Sequence, residues 1–401
     1  MNGLDRMRAD SKINSFDSLK DKRFLFVVNT LRGFGGAERQ SLILATYIKK
    51  NISSNVFFLA FEDGGEFRLL LEEARIEVHC FTFKHQASKF KKAFQYFRLI
   101  QFVKPLKPDF LIPYVAESNK IVAQIWKYTG AMFAFWNQRE EGRKLFGTSH
   151  EKKIISKVPA IISNSFEGRD ALVRVYNLNP DEITVINNGI IPYTDEIEDY
   201  DWHSHFKIER HRPLVSMVAN ITSRKDHFTL FKAWQLVIFQ CRTKQMPLPF
   251  LVLAGRLDDT YDDLRLLGFD LNLSDSVGFT GSINPVQSLI KNSLFCVFSS
   301  NLEGCPNGVL ECMEQGKAVI ATNISGVMQA LGTTYADICL SQPNNHCDLA
   351  DKIMNLYQQP YLIKEIGIYN SNRITKEFSV EQMVTKHLQI IEDKLKRFPK
   401  V

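Results

Sequence analysis

The 401-residue chain has the length of two domains of ordinary size. Its composition of 45% hydrophobic and 23% charged residues predicts packed cores and excludes a fibrous or disordered chain. The net charge of +6 suits an anionic ligand or an anionic membrane surface, but it is too small to indicate a nucleic-acid partner.

We expect neither export nor insertion into a membrane. The longest apolar runs are far shorter than the roughly 20 residues that cross a bilayer, and residues 1–23 lack the apolar segment of a secretory signal. The 7 cysteines form no Cys-x-x-Cys pair, which favours reduced thiols over disulfides or a zinc site. The sequence therefore predicts a cytoplasmic protein.

Short β-branched and aromatic runs alternate along the chain with longer amphipathic segments. This alternation predicts an α/β fold with parallel sheets and right-handed crossovers. A hydrophilic interruption at Pro192–His211 is the predicted linker, so we expect domains over residues 1–195 and 205–375 and a C-terminal helix over 376–401. The predicted strands are Arg23–Asn29, Asn55–Phe61, Ile76–Phe81, Phe110–Ile112, Ala131–Trp136, Ala160–Ser163, Ile183–Ile186, Leu214–Ala219, Phe250–Ala254, Val277–Thr280, Leu294–Ser299, Ala318–Thr322 and Ala336–Leu340.

A glycine-rich turn follows the first predicted strand. Gly33, Gly35 and Gly36 precede the predicted helix Gln40–Lys50, and glycines there let the backbone approach a phosphate at the helix N-terminus. A dinucleotide-binding fingerprint would need glycine where Glu38 stands, so that interpretation is weak. A glycine turn without a ligand is an equal alternative.

The segment Glu303–Glu311 has the strongest chemical pattern. Pro306 suits the first turn of a helix, and the amides of residues 304–308 would then point towards an anion. Glu311 would lie about one turn further on, among apolar residues, where a carboxylate needs donors such as a pair of ligand hydroxyls. The segment therefore predicts a sugar-nucleotide site, with two unrelated surface acids as the alternative.

Two more loops follow predicted strands of the second domain. Arg224 and Lys225 could neutralise a diphosphate, or could form a solvated basic pair. Gly255 again permits close approach of the backbone, and Arg256 follows it. The acids beyond them could indicate a metal, but we favour acids in the first turn of a helix; they are Asp258, Asp259, Asp262 and Asp263.

The segment Lys84–Lys104 carries six Lys or Arg and no acid, with Phe90, Phe94, Phe97 and Val103 near helical spacing. Such a helix could rest on an anionic membrane with its aromatic rings at the headgroups. A helix packed on the sheet, with a solvated basic face, is an equal alternative.

Four motifs occur in series along the chain. They are Gly35-Gly36-Ala37-Glu38-Arg39, Ile186-Asn187-Asn188-Gly189-Ile190, Ser223-Arg224-Lys225-Asp226-His227 and the pair Glu303 and Glu311. Together they resemble the motifs of glycosyltransferase family 4, whose members are retaining enzymes of the GT-B architecture, and their order and spacing match from about residue 24 to residue 395. The resemblance implies two Rossmann-like, doubly wound domains that face a cleft, a last helix that crosses back to the first domain, and no metal or other cofactor.

The resemblance also implies roles for individual residues. Lys225 would contact the donor diphosphate, Glu303 the transferred sugar and Glu311 the ribose hydroxyls, with Gly35 and Gly36 approaching from the other domain. Arg224 joins Lys225 and Glu303 as a catalytic candidate. The further donor-binding candidates are Asn220, Gly255, Arg256, Gly304, Cys305, Pro306, Asn307, Gly308 and Val309, and those on the acceptor side are Glu117, Asn137 and Arg139.

Three positions depart from the family pattern. Asn220 stands where many members have Arg, so Arg224 would take that charge, or the donor phosphates would be held less tightly. Gln329 replaces a common Glu after Ser325-Gly326, and the loop Pro113–Ser118 lacks the His that this loop often carries. A histidine at the acceptor is therefore in doubt.

The resemblance implies transfer of a hexose-type sugar from a nucleoside diphosphate to a hydroxyl, with retention of configuration. The expected partners are a nucleotide sugar and a glycan or lipid-linked acceptor, in the assembly of cell-surface glycan, lipopolysaccharide or lipid-linked oligosaccharide. The same scaffold also serves sugar-nucleotide epimerases and non-catalytic sugar-nucleotide or glycan-binding modules. Both alternatives stay open. An epimerase would convert the sugar nucleotide without an acceptor, and a binding module would bind its ligand without turnover.

Overall fold

A computed structural model describes residues 16–83, 88–193 and 200–397 of the chain. The chain divides into two compact units, of which the first comprises the residues up to Gly189 and from Val380 onwards. The second unit is Ile190–Ser379. The boundary therefore lies at Gly189, before the predicted linker.

The first unit is built on a sheet of parallel strands. They are β1 Phe24–Val28, β2 Val56–Ala60, β3 Glu77–Cys80, β4 Phe110–Pro113, β5 Phe133–Gln138, β6 Ala160–Ser163 and β7 Ile183–Val185. Their order is β3-β2-β1-β4-β5-β6-β7. All of β1 is buried, as expected for a central strand covered on both faces. The strand order reverses between β1 and β4, which places a topological switch point at their carboxyl ends.

Helices cover this sheet, and the last helix of the chain belongs to the same unit. The helices are α1 Gly36–Asn51, α2 Glu66–Glu73, α3 Lys89–Val103, α4 Ala116–Ile125, α5 Ser149–Ile155, α6 Phe166–Tyr176 and, after the second unit, Val380–Arg397. Gln40 on α1 exchanges two hydrogen bonds with the backbone of Gly189, at 2.9 and 3.0 Å. A Cβ atom on Gly189 would lie 2.9 Å from Val380 Cα, so the motif that contains Gly189 packs the start of the last helix.

The second unit also contains one parallel sheet within the described residues. Its strands are β8 Leu214–Val218, β9 Phe250–Ala254, β10 Val277–Gly281, β11 Ser293–Phe298, β12 Val319–Thr322 and β13 Leu340–Ser341, in the order β10-β9-β8-β11-β12-β13. The order reverses between β8 and β11. The carboxyl ends of these two strands therefore form the second switch point.

The helices of the second unit are α7 Trp202–Phe206, α8 His227–Thr243, α9 Tyr261–Asp270, α10 Gln287–Asn292, α11 Asn307–Glu314, α12 Ser325–Leu331, α13 Ala336–Cys339, α14 His346–Tyr357 and α15 Pro360–Glu377. The last helix of the chain, Val380–Arg397, is α16. It starts at Val380 rather than at residue 376, because α15 continues to Glu377. None of the helices in the described part of the chain is long and apolar enough to cross a membrane.

Two predictions about the second unit are wrong. The segment 200–211 is not a linker, because Trp202 on α7 is buried in a cluster with Leu214 and Phe250. Residues 194–199 of the predicted linker lie outside the described residues. The predicted strand Ala336–Leu340 is mostly helix α13, since only Leu340 and Ser341 reach the sheet edge and pair with β12.

Candidate functional site

The catalytic candidates of the second unit meet at its switch point. Lys225 lies in the loop after β8 and Glu303 in the loop after β11, and the Lys225 ammonium forms an ion pair with the Glu303 carboxylate. Both side chains are largely buried, at 18% and 16% exposure, so water screens this pair less than a surface pair. The Lys225 ammonium also lies 4.5 Å from the centre of the Phe298 ring. The structure thus joins two residues that are 78 positions apart in the chain.

Ser300 ties the two loops together. Its hydroxyl lies 3.0 Å from the Arg224 carbonyl oxygen and 3.1 Å from Glu303 Oε1, and can donate to one of them at a time. The Ser300 amide donates to the Thr322 hydroxyl, which in turn donates to the Ser300 carbonyl. Sequence reasoning missed both residues, although the pair Ser299-Ser300 at the carboxyl end of a buried strand was a usable signal.

The loop that carries Glu303 is also held from the side of α12. A Cβ atom on Gly326 would lie 2.3 Å from the carbonyl oxygens of Glu303 and Gly304, so only glycine permits this contact. Gly326 is therefore a third residue that the site requires and that was not among the predicted ones.

Helix α11 begins next to this loop and brings its N-terminus to the end of β8. Pro306 is the N-cap rather than a residue of the first turn, and its ring has no group that could accept from the first amides. A Cβ atom on Gly308 would lie 2.1 Å from the Val218 carbonyl oxygen at the end of β8. Glycine at 308 thus allows the helix start to approach the switch point closely.

The remaining residues of the Glu303–Glu311 segment are buried or half-buried. Glu311 is buried within α11, as its apolar neighbours predicted. The side chain of Val309 lies in the hydrophobic core, so only its backbone could contact a donor. Gly304 is buried, whereas Cys305 and Asn307 are half-buried.

The start of α8 fixes the position of Lys225. Asp226 caps the helix by accepting from the Thr229 amide at 3.1 Å. The His227 ring is buried and lies 3.0 Å from the Lys225 carbonyl oxygen through Nδ1. Burial, and to a smaller extent the charge of Lys225, lower the pKa of His227 to about 4. His227 is therefore a neutral structural residue at neutral pH.

Several predicted donor residues are engaged in holding the loops. The side-chain oxygen of Asn220 accepts from the Arg256 amide at 3.0 Å, so it fixes the loop after β9. Gly255 has a φ of +156°, and a Cβ atom there would lie 2.2 Å from the Ala219 carbonyl oxygen. Arg256 pairs with Asp258 at 2.7 Å, and this hydrogen bond lowers the pKa of Asp258.

The four acids beyond Arg256 do not form a common cluster. Asp262 and Asp263 lie in the first turn of α9, as favoured from the sequence. Asp259 accepts from the Ser223 hydroxyl at 3.0 Å. Over the described ranges, no group of three or more His, Cys, Asp or Glu side chains is placed to hold a metal ion.

Arg224 is exposed beside Lys225, and its positive charge contributes to lowering the pKa of Asp258, after the larger effect of Arg256. Its carbonyl group, not its side chain, takes part in the contact with Ser300. The Arg224 side chain is thus placed at the surface of the switch point.

The glycine turn of the first unit is capped by its own helix. Gly35 is the N-cap of α1, and its amide donates to Glu38 Oε2 at 3.2 Å. Burial raises the pKa of Glu38. The glutamate that replaces the third glycine of a dinucleotide fingerprint therefore satisfies the amide of Gly35, while Gly35 and Gly36 both stay exposed.

Glu117 lies at the switch point of the first unit. It accepts from Asn29 after β1 at 2.9 Å and pairs with Lys144 at 3.0 Å. Burial alone would raise the pKa of Glu117, but hydrogen bonds, first from Lys144, outweigh it and lower that pKa. Glu117 therefore stays ionised at the edge where a ligand of this unit would bind. Asn29 and Lys144 were not predicted.

Asn137 and Arg139 lie at and just beyond the carboxyl end of β5. The Asn137 amide group donates to the Pro113 carbonyl oxygen at 2.8 Å, while its buried side-chain oxygen has no partner among the described residues. Arg139 donates to Asn188 at 3.2 Å and stacks on the buried ring of Tyr114, 4.6 Å from the ring centre. Arg139 thus contacts Tyr114, whereas Glu117 contacts Asn29 and Lys144.

Comparison with known proteins shows that the second unit is similar in sequence to a protein family. Residues 200–373 match the family model of the glycosyl transferases group 1. An uncharacterized glycosyltransferase of Methanocaldococcus jannaschii is 31% identical over 112 residues, which are 28% of this chain and 31% of that protein. The N,N'-diacetylbacillosaminyl-diphospho-undecaprenol alpha-1,3-N-acetylgalactosaminyltransferase of Campylobacter jejuni is 26% identical over 38% of this chain and 37% of that enzyme. The alignments thus cover less than half of these curated relatives.

Solved structures resemble the chain over most of its length. A glycosyltransferase of Rickettsia africae superposes with a TM-score of 0.79 at 20% identity, covering 94% of this chain and 99% of that one. Anabaena HepE, solved with UDP and glucose, gives 0.78 at 17% identity, covering 92% and 100%. The fold prediction of two Rossmann-like units of the GT-B class is confirmed, and the second unit is similar in sequence to the glycosyl transferases group 1.

Proposed function

We propose that this protein is a retaining glycosyltransferase that moves a hexose-type sugar from a nucleoside diphosphate to an acceptor hydroxyl. The observation that carries the proposal is the contact of Lys225 with Glu303 at the switch point of β8 and β11. It places a cation, a carboxylate and the uncapped start of α11 at the edge where doubly wound sheets bind nucleotides. The match of residues 200–373 to the glycosyl transferases group 1 supports the same activity.

In this mechanism, the cations assist departure of the nucleoside diphosphate. A donor phosphate would compete with Glu303 for the Lys225 ammonium, and the exposed Arg224 would add a second cation. Glu303 would then be free to accept a hydrogen bond from a hydroxyl of the sugar. The bond between the anomeric carbon and the phosphate oxygen breaks as the acceptor oxygen attacks from the same face, and the departing phosphate takes the acceptor proton.

The remaining assignments follow the elements on which the residues lie. We assign the ribose hydroxyls to Glu311, and the phosphates to the amides at the start of α11. The acceptor is assigned to the first unit, at Glu117, Asn137 and Arg139. With Lys225 and Arg224 supplying positive charge, we propose that transfer needs no metal, so activity should persist in EDTA.

The names of similar proteins narrow the choice of substrates to test first. HepE was solved with UDP and glucose, and the Campylobacter enzyme is named for transfer to a lipid diphosphate. We therefore propose a UDP-hexose or UDP-N-acetylhexosamine donor and a glycan or lipid-linked acceptor in cell-surface glycan, lipopolysaccharide or lipid-linked oligosaccharide assembly. The proposed location is the cytoplasm.

Release of nucleoside diphosphate from a panel of sugar nucleotides tests the donor without knowledge of the acceptor. We expect slow hydrolysis of one or two donors by the wild-type protein. With methanol as a surrogate acceptor, the methyl glycoside, which cannot mutarotate, should keep the anomeric configuration of the donor in NMR spectra. Lys225→Ala should abolish this release, whereas Lys232→Ala, an exposed lysine on α8, should not.

The same panel separates the alternatives. An epimerase would convert the sugar nucleotide into its epimer and release no diphosphate. A binding module would bind a sugar nucleotide in calorimetry and leave it intact. Inverted product would contradict the retaining mechanism, and binding to no sugar nucleotide would contradict the proposal as a whole.

A further inference from the structure

Helix α3 in the first unit has an unusual distribution of apolar residues. Leu99 and Val103 are fully buried in the core, but Phe90, Phe94 and Phe97 are 91%, 61% and 57% exposed. If α3 were only a core helix, the stripe of phenylalanines would face the sheet together with Val103. Phe90, Phe94 and Phe97 therefore do not share a face with Val103, and the helix has two apolar faces: one packed on the core and one open to solvent.

The open face borders a groove. It has a volume of about 990 Å³ and lies between α3 and residues 80–82, which end and follow the edge strand β3. Phe81, Phe94, Phe97 and Arg98 contribute to its lining, which includes no Asp or Glu among the described residues. Large exposed apolar patches on soluble proteins mark sites for a partner or a membrane.

The charge beside the rings is of one sign. Lys91, Lys92 and Arg98 are exposed on the same helix, and the whole segment Lys84–Lys104 has no acid. Lys84 itself lies outside the described residues. Aromatic rings at the level of lipid headgroups, flanked by cations, are the pattern of helices that lie on anionic bilayers.

A second basic patch adjoins α3. Gln124 on α4 donates to the Tyr96 hydroxyl on α3 at 2.7 Å, and its side-chain oxygen lies 3.2 Å from His150 Nε2. Gln124 and His150 line a cavity of about 250 Å³ whose described lining includes three lysines and no acid. The lysines are Lys127, Lys153 and Lys157, and Tyr128 is exposed beside them.

We propose that the exposed face of α3, extended by this basic patch, is a docking surface for an anionic phospholipid bilayer. Phe90, Phe94 and Phe97 would enter the headgroup region, while Lys91, Lys92 and Arg98 would contact lipid phosphates. The charge complementarity selects a bilayer over an apolar protein partner, because the described residues that line the groove include Lys91 and Arg98 and no acid. Asp63 interacts with Cys80 at one end of the groove, but its charge is paired with Arg68. This docking does not depend on the proposed transferase activity.

Sedimentation of the full chain with vesicles tests the surface. We expect binding to phosphatidylcholine vesicles that contain roughly one-third phosphatidylglycerol, and no binding to phosphatidylcholine alone. Binding should weaken from 0.1 M to 1 M salt, since the Debye length falls from about 10 Å to about 3 Å. A wild-type protein that does not sediment with the anionic vesicles at low salt would overturn the proposal.

Charge reversal on α3 gives the sharper test. Each basic residue at an anionic surface strengthens partitioning by about five-fold, so Lys91→Glu, Lys92→Glu and Arg98→Glu together should weaken it by at least about 100-fold. The matched control makes the same charge change at three exposed positions on α8 or just after it, with Lys232→Glu, Arg242→Glu and Lys244→Glu. This control should bind the anionic vesicles at least ten-fold more strongly than the α3 variant. Equal losses in the two variants would show that only net charge matters, and would overturn the proposal.

The aromatic contribution has its own control. Phe90→Ser, Phe94→Ser and Phe97→Ser together should weaken partitioning by more than about ten-fold without changing the melting temperature, because these rings are outside the core. Phe239→Ser and Phe269→Ser remove exposed rings of the second unit, 67% and 74% exposed, and should leave vesicle binding unchanged. Release of nucleoside diphosphate should be the same in all variants. Self-association that is lost with the phenylalanines, without any vesicle binding, would assign the face to a second copy of the chain instead.

Discussion

Replacing Gly308 by alanine adds one uncharged methyl group and tests whether the start of α11 holds the donor. The new Cβ atom would lie 2.1 Å from the Val218 carbonyl oxygen, against 3.4 Å for an ordinary contact, so the helix start must move by about 1.3 Å. The opposing atom belongs to the backbone of β8 and cannot rotate away. Overpacking of this kind costs about 1–3 kcal/mol.

The displacement has a second consequence for the proposed site. A hydrogen bond of about 2.9 Å that lengthens by this amount is lost, because donors and acceptors beyond about 3.5 Å no longer bond. Loss of one charge-assisted bond to a phosphate weakens binding by roughly ten- to a hundred-fold. We therefore expect Gly308→Ala to lower both the melting temperature, by about 2–8 °C, and the affinity for a nucleoside diphosphate.

Thermal unfolding and titration calorimetry measure the two effects separately. Gly33→Ala is the matched control for the melting temperature, which it should leave unchanged, since a Cβ atom on Gly33 has no atom within 4 Å. A Gly308→Ala protein that melts at a lower temperature but binds the nucleotide with wild-type affinity would refute the phosphate site at α11. A protein unchanged in both would show that the contact with Val218 relaxes at no cost.

Three further predictions concern single side chains. Lys225→Ala should lower kcat for transfer by about 100-fold or more, and Arg224→Ala should lower it by less because its side chain is exposed. A Lys225→Ala variant that has a higher KM and an unchanged kcat would limit Lys225 to substrate binding. Glu311→Ala should weaken nucleoside-diphosphate binding by roughly ten- to a hundred-fold in calorimetry, and unchanged affinity in a folded variant would exclude the ribose contact. Burial, and then the charge of Arg139, lower the pKa of His387 to about 3, and the pKa of His227 is lowered to about 4. Between these values and the ordinary histidine pKa, the two histidines bind protons in the unfolded chain but not in the folded one. Stability should therefore fall below pH 6.5, by about 1.4 kcal/mol per pH unit for each histidine, and His387→Gln should flatten the melting-temperature profile between pH 5 and 7 if this assignment is correct.

The sequence by itself determined the strands and the loops in which to seek a site. Buried parallel strands are continuous apolar runs, and that property is local, so β1, β6 and β9 could be placed closely from composition alone. The motif residues at the carboxyl ends of those runs then marked the edge where ligands bind. The same reasoning failed for Ala336–Leu340, where a helix forms instead and only Cys339 and Leu340 are buried.

Only the tertiary structure decided which of those residues meet. Lys225 contacts Glu303 because β8 and β11 are neighbours in the sheet, although β9 and β10 lie between them in the chain. Asn220 is held by the Arg256 amide, and Ser300 and Gly326 enter the site, through pairings that no local pattern encodes. The stripe of phenylalanines on α3 faces solvent because the neighbouring face of that helix already packs on the core, and helical spacing is the same for either face.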